Sequence, residues 1–360
     1  MRNLSTTFNE LTVQTRAAPA FGDDSPIEVG ESPTGLLALL AKMGLAGKRD
    51  RPQVTEISSG ASAKIYRVDL TWGTVCVKSS MSESKIGLGA KAHLERNAHE
   101  REWLKLARAT VGEAVPEVLG EQPGSFAMEY LDLRRFVAWR SQLRDGEINP
   151  STAAEVGRLT GRIHAATANN FAVAQRFAAD GLFHATRIEP LLLATAQAHP
   201  GLAERLRLLA AATAHNKLAL VHGDMTPHNI LIGPKGPVII DAEYACYGDP
   251  AFDVALCLSH LLASCVLRPQ WRDYYLTGYD AFCAAYTQRI NWEPSEQLEE
   301  RAALLLPALA LARVHGSGQD DYLQTEREKE RIGAISCHLL LDPVIRLAAV
   351  WESWRRALAP

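Results

Sequence analysis

"VHGDMTPHNILIGPKGPVIIDAEYACYGDP", Val221 to Pro250, sets acids and amides at the edges of two apolar runs. His222, Asp224 and Asn229 precede Ile230 to Ile232. Asp241 and Glu243 follow Val238 to Ile240, and a Gly-Pro-Lys-Gly-Pro turn lies between the runs. Two short apolar runs about such a turn predict a β-hairpin. Polar side chains at strand ends lie where a rigid scaffold gives way to loop, a common mounting for chemistry. If the hairpin is symmetric about Lys235, Asn229 and Asp241 face each other. An amide oxygen opposite a carboxylate forms a hard oxygen site, suited to Mg2+ that keeps water and phosphate as its other ligands. Asp224 falls in the loop entering the hairpin, where it could accept a proton from a substrate hydroxyl while the metal holds phosphates.

Outward from this stretch the pattern divides the chain. "SPTGLLALLAKMGLAG" carries helix start signals at Ser32 and Thr34 and a stop at Gly47. Residues 53–80 then alternate apolar and polar through three runs, with turns at Ser59-Gly60 and Trp72-Gly73, the pattern of an antiparallel meander. A helix is expected over Ala90 to Ala109, and "VPEVLGEQPGSFAMEYLD" predicts two further strands ending near Tyr130. From about Asn149 helical periodicity dominates, interrupted by the hairpin. The expected organisation is a loosely ordered tail over 1–30, a strand-rich lobe over 31–131 and a helical lobe over 132–360.

Composition narrows the function classes. The 360 residues are 47% hydrophobic and 22% charged with a formal charge of -3, an ordinary globular balance without the basic excess of nucleic-acid or anionic-membrane binders. Cys76, Cys246, Cys257, Cys265, Cys283 and Cys337 contain no Cys-x-x-Cys pair and lie largely in apolar runs, so they read as reduced core residues suited to a cytoplasmic setting. The apolar run Val254 to Leu267 is read as too short for a membrane span, and the N-terminus lacks the apolar core of a signal peptide. A small-molecule partner is therefore expected, with no nucleic acid and no membrane.

At "HGDMTPHN" and "IIDAE" the chain resembles the aminoglycoside phosphotransferase and choline kinase superfamily, a variant of the protein-kinase fold. The resemblance implies an α+β, two-lobed architecture with a small antiparallel-sheet lobe and a larger helical lobe. It implies Asp224 as catalytic aspartate, Asn229 and Asp241 as Mg2+ ligands, and Glu243 near metal or substrate. In "YGDPAFD", Asp253 would support the catalytic loop, with His222, through backbone hydrogen bonds; Asp253 could also cap the helix it opens. A kinase of this kind needs a turn over the phosphates, a strand lysine, a helix glutamate and an adenine connector. Gly60 and Ser62 in "SSGASAKIY", Lys78 ending "VCVK", and Glu100, preferred to Glu95 and Glu102, supply the first three. Met128, Glu129 and Leu131 in "FAMEYLD" supply the connector. His164 in "LTGRIHAAT" reads as a packed, hydrogen-bonded residue.

These parts together imply an ATP- and Mg2+-dependent kinase of a small-molecule hydroxyl. Alternatives are an aminoglycoside-modifying enzyme and an inactive regulatory nucleotide-binding module. A protein kinase fits less well, because "YACYGDPAFD" leaves no room for a long activation segment, and the P-loop signature is absent. The segment "IDAEYACYGDPAFD" is also similar to methylthioribose kinases, although Asn229 stands where those usually carry serine. Candidate acceptor contacts are Glu243, Tyr244, Tyr247, Arg187 and Arg313, with His315, Asp320 and Asp321 further along the chain. Interleaved charges in "EPSEQLEERAA" and "GQDDYLQTEREKER" favour a sugar or amino alcohol over a polycationic aminoglycoside.

Overall fold

The computed structural model describes residues 33–47, 49–59, 63–80, 90–315 and 325–358. The expected tail, Gly60, Ser62, Asp320 and Asp321 lie outside the described residues.

The first half of the fold is a five-stranded antiparallel sheet in the order β1-β2-β3-β5-β4. Helix α1 (Pro33–Lys42) precedes it; its strands are β1 (Gln53–Ser59), β2 (Ala63–Leu70), β3 (Gly73–Ser80), β4 (Val118–Gln122) and β5 (Ser125–Glu129), and helix α2 (Ala90–Val111) joins β3 to β4. Helix α1 stops at Lys42, short of the sequence expectation, because Gly44 takes a left-handed φ of 77° that ends the turn. Period-two side-chain alternation gives the sheet two covered faces. Val75, Val77, Tyr66, Val68 and Ala127 pack with Leu40 of α1 on one face. Phe126 joins Trp103 and Leu104 of α2 in the main core on the other. Lys78, two residues after Cys76 on β3, falls on the α2 face and is 4% exposed.

The second half is mainly helical. It contains β6 (Val137–Ala138), α3 (Trp139–Asp145), α4 (Pro150–Thr167), α5 (Phe171–Arg176), α6 (Asp180–Phe183), a π-helical segment over His184–Leu193, α7 (Ala194–Ala198) and α8 (Ala203–His215). Strands β7 (Ala219–Val221), β8 (Ile230–Gly233), β9 (Gly236–Ile239) and β10 (Cys246–Gly248) follow, then α9 (Pro250–Leu267), α10 (Arg272–Thr287), α11 (Ser295–His315), α12 (Glu326–Leu341) and α13 (Leu347–Ala357). Helix α9 is 18 residues and apolar enough to cross a membrane by length and composition, so shortness is not what distinguishes it; 94% of it is buried inside the fold. It is the core helix around which α10 and α11 pack.

Helices α4 and α10 approach closely because Gly157 and Gly161 lack side chains. A Cβ on Gly157 would lie 2.4 Å from the Phe282 carbonyl oxygen. That approach brings His164 of α4 to Tyr286 of α10, Nδ1 to hydroxyl at 2.8 Å. The other ring nitrogen, Nε2, lies 3.2 Å from Asp253 Oδ2 on α9. Asp253 is fully buried. Its carboxylate accepts the backbone N–H of His222 at 2.7 Å and of Gly223 at 3.0 Å. Asp253 does not cap α9: Asp249 does, accepting from Ala251 N at 3.0 Å, because Pro250 occupies the first helical position. Arg301 of α11 braces that cap through two nitrogens.

Burial alone would raise the Asp253 carboxyl, but the hydrogen bond and charge of His164, with the backbone N–H of His222, hold it below its ordinary 3.8. A carboxyl lowered on folding contributes stability above about pH 4 that is lost as pH falls through the folded value. Asp253→Asn should therefore lower Tm at neutral pH, with each backbone N–H left unpaired costing about 1–3 kcal/mol. It should also flatten the acid limb of Tm against pH. A variant with unchanged Tm and an unchanged acid limb would show that this carboxylate does not hold the turn.

Candidate active site

Strand β7 pairs antiparallel with β10, Val221 opposite Cys246, and delivers the chain into His222-Gly223-Asp224. The turn needs glycine twice over. Gly223 has φ of 77°, and a Cβ there would sit 2.4 Å from the Tyr244 carbonyl oxygen. His222 Nε2 lies 3.0 Å from the Ile240 carbonyl oxygen, and its Nδ1 accepts the Asp224 N–H at 3.2 Å, which fixes the tautomer with the proton on Nε2. Trp103 of α2 meets the imidazole edge-on at 5.0 Å between centroids.

The predicted hairpin forms, with a different register. Ile230 pairs with Ile239 and Gly233 with Gly236, leaving a two-residue turn at Pro234 and Lys235. Asn229 therefore lies opposite Ile240, whose N–H donates to the Asn229 carbonyl at 2.9 Å, and not opposite Asp241. The sequence symmetry about Lys235 misleads because Gly236, at φ of 114°, closes the turn one residue early. Asp241 then departs from extended geometry, with φ of 63°, a left-handed conformation that Asp tolerates better than most residues. This kink points to a local constraint at the strand end.

Asn229 is 2% exposed, and its Nδ2 donates to both the carbonyl and Oδ2 of Asp224, at 3.0 and 2.9 Å. With the amide nitrogen so committed, its Oδ1 is the atom left for an electrophile. The Asp241 side chain is 41% exposed, and its Oδ1 lies 2.7 Å from Lys78 Nζ. Among the described residues no group of three or more His, Cys, Asp or Glu converges on a metal-sized site. One amide oxygen and one partly open carboxylate fit a hard cation that completes its shell with phosphate and water, and do not fit an all-protein cage.

Lys78 joins the two halves of the fold. Its Nζ lies 2.6 Å from Glu100 Oε2 on α2 as well as 2.7 Å from Asp241. Burial would lower the Lys78 pKa, yet the charges of Asp241, Glu100 and Glu243 hold it well above its ordinary value, so it stays an ammonium. Glu100 is pushed up to about 8, first by burial, with Lys78 pulling the other way. Asp241 is held below its ordinary value: burial would raise it, and the Lys78 charge and hydrogen bond overcome that.

The remaining predicted residues divide. Arg187, on the π-helical segment, places Nη2 3.1 Å from Asp224 Oδ1 and its guanidinium 3.7 Å from the Tyr244 ring centre. Glu243 is 9% exposed and near enough to Lys78 to raise its pKa. Tyr247 is corrected as an acceptor contact: its hydroxyl donates to Leu218 O at 2.8 Å and accepts Asn170 N–H at 3.1 Å, which ties β10 to the start of α5. Arg313 is 5% exposed, with Nε donating to Ser259 Oγ on α9. His315 pairs with His199 at 3.0 Å. In the connector, Met128 pairs with Cys76, and the Glu129 N–H is taken by Glu117 O at 2.9 Å.

Sequence reasoning missed Arg96. It stands one helical turn before Glu100, on the same face of α2, and lies 5.2 Å from the Tyr244 ring centre. The four-residue spacing to Glu100 was the available signal.

The family described as "APH: Phosphotransferase enzyme family" matches residues 53–292, from the first strand of the sheet to beyond α10. Methylthioribose kinases of Bacillus anthracis and Bacillus cereus are 23% identical over 241 residues, covering 60% of this chain; the chain spans 61% of the length of these relatives. Among solved structures, a choline kinase from Cryptosporidium parvum Iowa II superposes with a TM-score of 0.51 at 12% identity, covering 88% of this chain and 99% of that one. An amicoumacin kinase in complex with AMP-PNP, Ca2+ and Ami gives 0.50 at 13% identity, covering 82% and 90%. These likenesses establish the shared two-lobed, kinase-like fold. With the family matched across two thirds of its length, this chain belongs to the APH phosphotransferase enzyme family.

Proposed function

We propose that the protein transfers the γ-phosphoryl group of ATP directly to a hydroxyl of a small molecule. The observation that carries this reading is the convergence of Lys78, Asp241, Asn229 and Asp224 from both halves of the fold, linked by contacts of 2.7 Å (Lys78 to Asp241) and 2.9 Å (Asn229 to Asp224). Lys78, steadied by Glu100, binds donor phosphate. Asn229 Oδ1 and the Asp241 carboxylate hold Mg2+, which when bound neutralises phosphate charge. Asp224 orients the acceptor hydroxyl and takes its proton as the oxygen attacks phosphorus; the bond to the ADP oxygen breaks and ADP leaves. Asp253 and His222 are positioning residues, acting through the backbone of the turn that carries Asp224. Adenine lies against the connector, where Met128, the Glu129 carbonyl and Leu131 flank the end of β5.

The acceptor is read as a sugar or an amino alcohol. The methylthioribose kinases support a sugar, and Arg187 beside Asp224 weighs against a polycationic aminoglycoside, which would meet a guanidinium at the reacting carboxylate. With MgATP, an ADP-release assay should show turnover of a member of a sugar and amino-alcohol panel above that of kanamycin-type compounds. Asp224→Ala should lower that turnover about 10²-fold or more, the scale of losing a positioned base. Comparable turnover in the folded variant would remove Asp224 from the role, and aminoglycoside phosphorylation without response to the panel would overturn the acceptor class.

A further inference from the structure

The Tyr244 ring gathers two guanidinium groups from separate parts of the fold. Arg187 lies on it at 3.7 Å and Arg96 at 5.2 Å from the ring centre. Arg187 comes from a π-helical segment with Pro190 inside it, a helix form concentrated at functional sites, and Arg96 from α2, one turn before Glu100. Both arginines bury Nε, and neither Nε has a hydrogen-bond partner among the described residues. A buried guanidinium N–H without an acceptor costs free energy that a ligand acceptor would recover. Stacking on an aromatic face fixes the plane of a guanidinium and leaves its edge free to bind an anion in two-pronged fashion. Among the described residues, the anion paired with Arg187 is Asp224, met at 3.1 Å through Nη2, the nitrogen that shares an edge with Nε.

We propose that Arg187 and Arg96, flanking Tyr244, form a subsite for an anionic group, carboxylate or phosphate, on the acceptor. This deepens the kinase reading and rests on it: the acceptor is then a hydroxyl compound bearing an acid, such as a sugar acid or hydroxy acid, and amino alcohols are disfavoured. In the free protein both Asp224 oxygens are engaged, Oδ1 by Arg187 and Oδ2 by the Asn229 amide. An acidic group on the acceptor competes with Asp224 for Arg187 and frees Oδ1 to receive the hydroxyl. The subsite thereby couples recognition of the acceptor to readiness of the base.

Calorimetric titration of the full chain at low salt, with Mg2+ and AMP-PNP present to fill the donor side, tests the subsite directly. The probes are inorganic phosphate, D-glycerate and uncharged glycerol. At least one anion should bind saturably and glycerol should not. Arg187→Ala and Arg96→Ala should each weaken the anion about 10-fold or more, the scale of losing a charge-assisted contact. Asp224→Asn should tighten it, because Arg187 is released from its ion pair; this gain cannot come from misfolding. Absence of saturable anion binding overturns the proposal, as does an affinity unchanged by both arginine substitutions or lost only in Lys78→Ala. The binding readout is independent of turnover, so failure of Asp224 as the base would register separately in the ADP-release assay.

Discussion

One buried carboxylate organises the centre of the molecule. Asp253 accepts the N–H groups of His222 and Gly223, and it is itself held by His164, which Tyr286 orients. Four elements, α4, α9, α10 and the turn after β7, therefore meet at one acidic side chain. The cost of burying the charge is met by three donors, which is the condition under which a buried carboxylate is tolerated. The consequence is mechanical: the backbone on which Asp224 sits cannot shift without exposing two unpaired N–H groups. A rigid turn suits the base proposed at Asp224, whose hydroxyl partner must lie in line with phosphorus.

Around that fixed turn the charges are arranged in sequence. Glu100 and Asp241 hold Lys78 between the sheet and the hairpin. Asn229 ties the hairpin to Asp224, and Arg187 caps the far side of the same carboxylate. From Lys78 to Arg187 the side chains alternate cation, anion, amide, anion, cation. Such alternation keeps each charge compensated while no ligand is present, and lets an incoming phosphate or acid replace a protein partner instead of entering an uncompensated field.

Much of this was legible in the sequence, for identifiable reasons. The sheet strands, α2 and the hairpin follow from period-two and helical patterns bounded by Gly and Pro, which act locally. The register of the hairpin was not legible, because Gly233-Pro-Lys-Gly-Pro237 is nearly symmetric and only the positive φ of Gly236 decides where it closes. Tyr247 read as a cleft residue because a polar atom at a strand end looks alike whether it faces solvent or a buried carbonyl. Helix α9 is long and apolar enough to span a membrane, and what distinguishes it is its burial in the protein core, which its own sequence does not display. The Arg187, Tyr244 and Arg96 cluster joins residues far apart in the chain, and no local pattern carries such a contact.

The central claim is that a metal–nucleotide complex sits between Lys78 and the Asn229–Asp241 pair, with Asp224 facing the terminal phosphate. A crystal structure with Mg2+ and AMP-PNP tests it most directly. The account predicts Mg2+ at about 2.1 Å from Asn229 Oδ1 and an Asp241 oxygen. It also predicts Lys78 on phosphate with its Glu100 contact retained, and Asp224 on the acceptor side of the γ-phosphate. Nucleotide bound elsewhere, or metal held without Asn229 and Asp241, would contradict it.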